Sequence, residues 1–119
     1  MRLGNLERSI MEALWGRPEG MLAQDLSEAL PSRPAVTTVL TVLVRLSRKG
    51  MVRRERAGRA HLYYATSDKD AFIAETMRAA LEEAGDVGAA VSRFVGTVSP
   101  AVAEALRAAL QDRPDEEIR

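Results

Sequence analysis

Apolar residues recur at helical spacing in the middle of the chain. Between Pro34 and Gly50 they stand three or four positions apart, which predicts one long helix with a single buried face. Proline fits the first turn of a helix, and a glycine that follows two basic residues is a strong stop signal. The face predicted to be buried consists of Val36, Val39, Leu40, Leu43, Val44 and Leu46.

Two short runs with strand character follow this helix, over residues 52–56 and 60–64. The segment Ala57-Gly58-Arg59 joins them, and its glycine can adopt a positive φ, so the sequence predicts a β-hairpin with a basic turn. A helix followed by such a hairpin is typical of the winged helix-turn-helix, a fold that lays one helix in the major groove of DNA.

Periodic segments on the amino-terminal side predict a helix that opens at residues 3–7 and runs to about Trp15. A brief strand at Met21-Leu22 and a second helix from Ala23 to Leu30 come next. Trp15 and the two tyrosines of the hairpin are expected to pack in the core and the wing.

Three more helices are predicted after residue 67, beginning near Asp68, Asp86 and Pro100. Ser67 with Asp70 is close to a capping box, and Ser99 before Pro100 is an N-cap followed by proline at the first helical position. The polar tail from Asp112 onward is expected to fray.

These three helices span about fifty residues, and a core of that size rarely stabilises itself alone. We therefore expect two chains to bury their apolar stripes together as a homodimer. The predicted fold is mainly α with a β-hairpin wing, divided into a winged helix-turn-helix (1–66) and a helical dimerisation region (67–119). The residues expected in the dimer interface are Phe72, Ile73, Met77, Leu81, Val91, Phe94, Val95, Val98, Val102, Leu106 and Leu110.

The formal net charge is zero, but the charge is unevenly distributed. Residues 1–66 contain eleven Lys or Arg against six Asp or Glu, and residues 67–119 contain six against eleven. A basic first half suits the phosphate backbone of double-stranded DNA. The residues expected to neutralise phosphate are Arg45, Arg48, Lys49, Arg53, Arg54, Arg56 and Arg59, with Arg59 at the wing tip able to enter the minor groove.

Three threonines, Thr37, Thr38 and Thr41, occupy the first two turns of the long helix, where helix-turn-helix proteins face base edges. Threonine can hydrogen-bond to a base or a phosphate and offers a methyl group to thymine, which favours a site rich in A·T pairs. Three threonines in five positions lower helix propensity, so a functional role is favoured over simple surface filling.

Other classes of site are disfavoured. The chain has no cysteine, which excludes disulfides and thiolate metal sites, and its one histidine, His61, has no carboxylate at ligand spacing. We find no catalytic constellation, and we expect neither enzyme activity, nor a metal, nor a cofactor. No apolar run approaches the roughly 20 residues of a membrane span, and the start lacks a signal-peptide pattern, so a cytoplasmic protein is expected.

The stretches LGNLERSIMEALW, AVTTVLTVLVRLSRKGMVRRERAGRAHLYYA and FVGTVSPAVAEALRAAL resemble the penicillinase repressor family over about residues 3–110. The resemblance implies a winged-helix dimer that represses β-lactam-resistance-type genes from a dyad operator at its own and neighbouring promoters. By position, Thr38 and Thr41 match the two recognition-helix threonines of the family. The arginine-leucine pair and the wing match at Arg45-Leu46, Gly58-Arg59 and Tyr63.

The sequence also departs from this family. Thr37 stands where lysine is usual and Leu40 where a polar residue is usual, so the operator preference is expected to differ. Many members are inactivated when a membrane-bound β-lactam sensor with a protease domain triggers their cleavage. The bond that corresponds to the cleaved one is Arg93-Phe94, where staphylococcal-type members have asparagine before phenylalanine. The copper-responsive branch uses a cysteine motif, so copper sensing is disfavoured.

Two alternatives stay open at this point. The winged helix can instead dock a partner protein while the acidic second half dimerises. A ligand-sensing regulator is the other alternative, and it requires an apolar pocket. Binding to DNA should weaken steeply as salt rises, whereas a protein-docking wing should show a milder dependence.

Overall fold

The computed structural model describes residues 3–114 of the 119-residue chain. Within this range, six helices and one antiparallel hairpin follow in the order α1 (Asn5–Trp15), α2 (Ala23–Ala29), α3 (Val36–Arg48), β1 (Val52–Ala57), β2 (Ala60–Ala65), α4 (Lys69–Glu82), α5 (Val87–Thr97) and α6 (Pro100–Asp112). This order confirms the predicted fold, which is mainly α with a small β-hairpin wing. Most of the tail expected to fray, residues 115–119, lies outside the described residues.

The chain divides into two compact units, here called the winged unit, which ends at Met77, and the rear unit, which begins at Arg78. The division between the two units falls inside α4. It does not test the domain boundary predicted near residue 66, which stays a prediction.

The winged unit has one hydrophobic core, to which the three amino-terminal helices and the hairpin all contribute. Its buried residues are Ile10, Met11, Leu14, Met21, Leu26, Leu30, Val39, Val42, Leu43, Leu46, Met51, Val52 and Tyr63. Met21 is tied to the hairpin by a two-way backbone pairing with Tyr63, in which the N–H of each donates to the carbonyl of the other at 3.0 and 2.8 Å. The predicted brief strand is therefore present as a single bridge.

The buried face of α3 differs from the predicted one. Val39, Val42, Leu43 and Leu46 are buried, whereas Leu40 is 38% and Val44 49% exposed. The prediction was wrong for these two residues and missed Val42. Apolar residues surround most of this helix, so their spacing alone does not reveal which side meets the core.

The start of α3 also differs from the prediction, because the first helical residue is Val36 and Ala35 is the N-cap. Pro34 lies before the helix, and its carbonyl accepts a 2.6 Å hydrogen bond from the Ser27 hydroxyl. The predicted end is confirmed, since Gly50 directly follows the C-cap Lys49 and has φ +78°.

The hairpin register runs from Val52 opposite Ala65 to Ala57 opposite Ala60, which leaves Gly58 and Arg59 as a two-residue turn. Gly58 has φ +66°, as required at the first central position of a type II′ turn. The turn therefore holds Arg59 at the tip of the wing.

The beginning of α4 belongs to the winged unit and is connected to α1. Asp68, rather than the predicted Ser67, caps this helix by accepting from the Ala71 N–H at 2.8 Å. The Ser67 carbonyl instead accepts from the Trp15 indole at 3.1 Å. The Phe72 ring is half-buried, with its centroid 5.4 Å from that of Trp15. Phe72 thus packs against the core of the winged unit, and its place in the dimer interface stays a prediction.

α5 begins near the predicted residue, with Asp86 as an N-cap that accepts from the Ala89 N–H at 3.0 Å. The predicted cap of α6 is confirmed, since Ser99, followed by Pro100, accepts from the Val102 N–H at 3.2 Å. Within residues 3–114, α4, α5 and α6 contain no buried residue. No helix in the described part of the chain is both long and apolar enough to cross a lipid bilayer.

Candidate nucleic-acid interface

The side of α3 that faces away from the core carries the predicted base-reading residues. At 100° per residue, an arc of roughly 60° lies opposite Val39 and Leu46, the centre of the buried face. The residues within that arc are Thr37, Thr41, Val44 and Arg48, and all are exposed. Thr38 and Arg45 flank this arc on one side, Leu40 and Ser47 on the other.

The threonines keep hydrogen-bonding capacity toward solvent. The Thr41 hydroxyl donates to the Thr37 carbonyl at 3.0 Å, a bond that threonine often makes to the preceding turn. Its oxygen keeps lone pairs that can accept from a donor such as a base amino group. Thr37 and Thr38 are exposed in the first turn, where the helix begins.

Five of the predicted phosphate-contacting arginines are exposed and outside the ion pairs of the structure. They form no ion pair within residues 3–114: Arg45, Arg48, Arg54, Arg56 and Arg59. Arg53 differs, because it pairs with Glu55 and its guanidinium lies 4.2 Å from the centroid of the Tyr64 ring. Its charge is therefore partly compensated inside the wing.

An open groove of about 450 Å³ runs between α3 and the hairpin. It is lined by Val44, Ser47, Arg48, Val52, Arg53, Arg54 and Tyr63. Basic side chains thus stand on both walls, one from the helix and two from β1. The groove therefore has arginines from both α3 and the hairpin in its lining.

Lys49, one of the residues predicted to contact phosphate, forms an ion pair that the sequence did not predict. Its ammonium lies 2.9 Å from the carboxylate of Glu7, which is only 5% exposed. The Gly4 N–H and the Lys49 ammonium both hydrogen-bond this carboxylate and lower the pKa of Glu7 against the opposing effect of burial. This pair connects the start of α1 to the end of α3, and phosphate binding by Lys49 stays a prediction.

Neither Glu7 nor its pairing with Lys49 was predicted for this site. Glu7 is the third residue of α1, where a Glu side chain can reach back to the backbone N–H before the helix, and this position was the available signal for the local bond to Gly4. Nothing local indicates Lys49, which is 42 positions away.

The apolar residues predicted for dimerisation are mostly exposed. Ile73, Met77, Leu81, Val91, Phe94, Val95, Val102 and Leu110 are all at least a third exposed, while Val98 and Leu106 are half-buried. The Arg93-Phe94 bond lies in the middle of α5, with both side chains exposed. His61 is half-buried on β2, and residues 3–114 contain no group of three metal-ligating side chains.

Comparison with known proteins identifies the family of this chain. Residues 3–112 match the penicillinase repressor family. The chain belongs to that family. It is 43% identical over 116 residues to the transcriptional regulator BlaI of Mycobacterium tuberculosis H37Rv, a match covering 93% of this chain and 84% of that protein.

Two solved structures are similar in fold. The DNA-binding domain of the repressor BlaI has a TM-score of 0.51 and 23% identity, covering 57% of this chain and 84% of that one. MepR, a transcription regulator of the Staphylococcus aureus multidrug efflux pump MepA, has a TM-score of 0.54 and 19% identity, covering 92% and 76%. As a penicillinase repressor family member with this fold, the chain is a winged-helix, DNA-binding transcriptional repressor.

Proposed function

We propose that this repressor acts in the cytoplasm as a homodimer on a pseudo-palindromic operator. Each copy inserts α3 into a major groove, with Thr37, Thr38 and Thr41 toward the base edges. The observation that carries this proposal is the sidedness of α3, which buries four apolar residues on one face and exposes threonines and arginines on the other. Its targets are β-lactam-resistance-type genes and its own promoter, as the family resemblance implies.

The wing and the second half of α3 hold the phosphate backbone. Arg45 and Arg48 follow the threonines along the helix, and Arg54, Arg56 and Arg59 project from the hairpin. Such contacts release counterions, so they supply affinity without sequence preference. Base selection is left to the amino-terminal half of α3.

Dimerisation is proposed because the described residues of the rear unit, 78–114, include none that is buried. Its apolar side chains, such as Phe94 and Val95, stay almost half exposed in the single chain. Burying them against a second copy removes apolar area from water and sets the distance between two recognition helices. A two-fold axis then requires an operator with two half-sites.

Induction is proposed to act on this dimer. A sensor-protease pathway that cuts the rear unit at Arg93-Phe94 removes part of the apolar face and leaves each winged unit alone on its half-site. Because that bond lies inside α5, cleavage requires α5 to open locally first. Each separated half makes too few contacts to keep the operator occupied.

The test is a fluorescence-anisotropy titration of the full chain against duplex DNA from its own promoter, beside a scrambled duplex of the same composition, at several salt concentrations. Tight, salt-sensitive binding with preference for the promoter supports the proposal. Equal binding to both duplexes contradicts promoter recognition, and salt-independent binding contradicts the phosphate-contacting surface.

The same titration separates base reading from phosphate binding. Thr38→Ala should cost roughly 1–3 kcal/mol at one base pair and little on scrambled DNA. Equal losses on both duplexes would assign Thr38 to the phosphate backbone instead.

A further inference from the structure

Leu40 and Val44 are large apolar residues on the exposed side of α3, and neither is accounted for by the core. They are 38% and 49% exposed, although four other apolar residues of the same helix are buried. Being four positions apart, they neighbour each other on the helix surface. Together they form what is here called the apolar pair.

The apolar pair lies among the base-reading residues. Val44 falls inside the arc that also contains Thr37 and Thr41, and Leu40 is displaced by about 40° from Val44 toward one side of it. Leu40 is within the first two turns of α3, between Thr38 and Thr41 in sequence. A helix docked through Thr37 and Thr41 therefore brings Val44 against the bases and Leu40 to one edge of the contact, one turn closer to the start of the helix.

The surroundings indicate what covers the apolar pair. Arg45 and Arg48 stand beside it, and Arg53 and Arg54 of β1 line the same groove of about 450 Å³ as Val44. A cationic rim suits a polyanion. A protein partner is disfavoured, because two half-exposed side chains supply far less than the about 800 Å² per partner of a stable protein interface. In the major groove the one apolar group that DNA offers is the 5-methyl of thymine.

We propose that Leu40 and Val44 are specificity-determining residues that pack against thymine 5-methyl groups in each half-site. This inference rests on the proposed function and adds a base preference to it. The apolar pair selects thymine over cytosine, which presents an amino group at the adjacent position and no methyl. Hydrogen bonds from the threonines then discriminate at neighbouring base pairs.

The test removes the methyl group from DNA. A preferred duplex is selected from a random-sequence pool with the full chain, and each thymine of its half-sites is then replaced by deoxyuridine, which keeps base pairing. We expect one or two positions at which the wild-type protein loses about fourfold in affinity per substituted half-site, the effect of losing one buried methyl group.

The matched variants assign that effect to the side chains. The Leu40→Ala variant should bind the thymine and deoxyuridine duplexes equally when the substituted thymine is the one that Leu40 contacts. Val44→Ala should do the same at the thymine that Val44 contacts. Leu40→Met should keep the preference for thymine over deoxyuridine. Arg48→Gln should weaken binding to both duplexes and leave their ratio unchanged. Circular dichroism checks that each variant keeps its helix content, which substitution of an exposed side chain should preserve.

Three results would overturn the inference. Wild-type binding that ignores deoxyuridine at every thymine excludes methyl recognition altogether. Full discrimination retained in both alanine variants, and lost in Thr41→Ser, assigns it to the threonine methyl. A pool that yields no preferred duplex refutes the proposed function and this inference with it, whereas the first two results leave the proposed function intact.

Discussion

Both units of this chain contain short amphipathic helices, but the apolar residues of these helices are buried to different extents. In the winged unit, three short helices and a hairpin share a closed core in which Ile10, Leu26 and Leu46 are fully buried. In the rear unit, helices of similar length leave residues such as Val87 and Leu110 more than half exposed. An apolar stripe therefore implies burial within one chain only where neighbouring elements surround it. Where they do not, the stripe indicates a partner.

The largest expected effect tests the closed core. Leu43→Ala removes a fully buried side chain and should lower the free energy of unfolding by about 2–5 kcal/mol, because it leaves a cavity. Leu40→Ala, the same change three residues away on the exposed side, should cost well under about 1 kcal/mol. Urea denaturation followed by circular dichroism measures both. Equal costs would mean that Leu40 belongs to the core.

A charge placed on the apolar face of the rear unit should break the dimer. Phe94→Asp is expected to weaken association by about 2 kcal/mol or more, because the carboxylate would be desolvated in the interface. Ser92→Asp puts the same charge on another side of α5 and should leave association nearly unchanged. Light scattering after size exclusion, over a dilution series, compares the two. A Phe94→Asp protein that stays dimeric would place the interface elsewhere.

The next effect compares a buried ion pair with an exposed one. Glu7→Gln should cost about 1–3 kcal/mol of stability at neutral pH, since the buried carboxylate bonds both Gly4 and Lys49. Glu104→Gln, which loses an exposed pair with Arg107, should change stability by less than about 0.5 kcal/mol.

The pH dependence of the first variant follows from the lowered pKa of Glu7. A depressed carboxylate pKa adds stability above the unfolded-state value of about 4.3, and this contribution disappears as pH falls toward the folded-state pKa. The difference between wild type and Glu7→Gln should therefore shrink in acid. A difference that stays constant from neutral pH to below that window would contradict an ionised Glu7.

The smallest expected effect compares two exposed arginines. Arg59→Ala, at the wing tip, should reduce the slope of log affinity against log salt by about one on any duplex, as expected from the loss of one phosphate contact. Arg107→Ala, on α6, should leave the slope unchanged. Anisotropy titrations at several salt concentrations give both slopes. A similar change for both residues would mean that the rear unit also contacts DNA.

The sequence was sufficient for the elements whose determinants are local. The wing turn follows from Gly58, and the start of α6 follows from Ser99 and Pro100, because a positive φ or a cap depends on adjacent residues. The side of α3 that meets the core was not predictable, since Leu40 and Val44 have the same apolar character as the buried Val42. Only contacts with α1, α2 and the hairpin decide between them.

Long-range pairing was also beyond the sequence. The sequence places Lys49 in a run of basic residues, and only the fold brings Glu7 beside it. Phe72 looked like part of a continuous dimerisation stripe, but Trp15, distant in sequence, provides its packing partner. In contrast, the helix period and the hairpin pattern were sufficient to predict that the threonines and arginines are exposed.

The most direct test of the central claim, that the rear unit of one chain is covered by a second copy, is sedimentation equilibrium of the full chain. We expect a single species of twice the 13.0 kDa chain mass throughout the micromolar range. A monomer that retains its full helix content under those conditions would contradict the claim, because the exposed apolar face would then be stable in water without a partner.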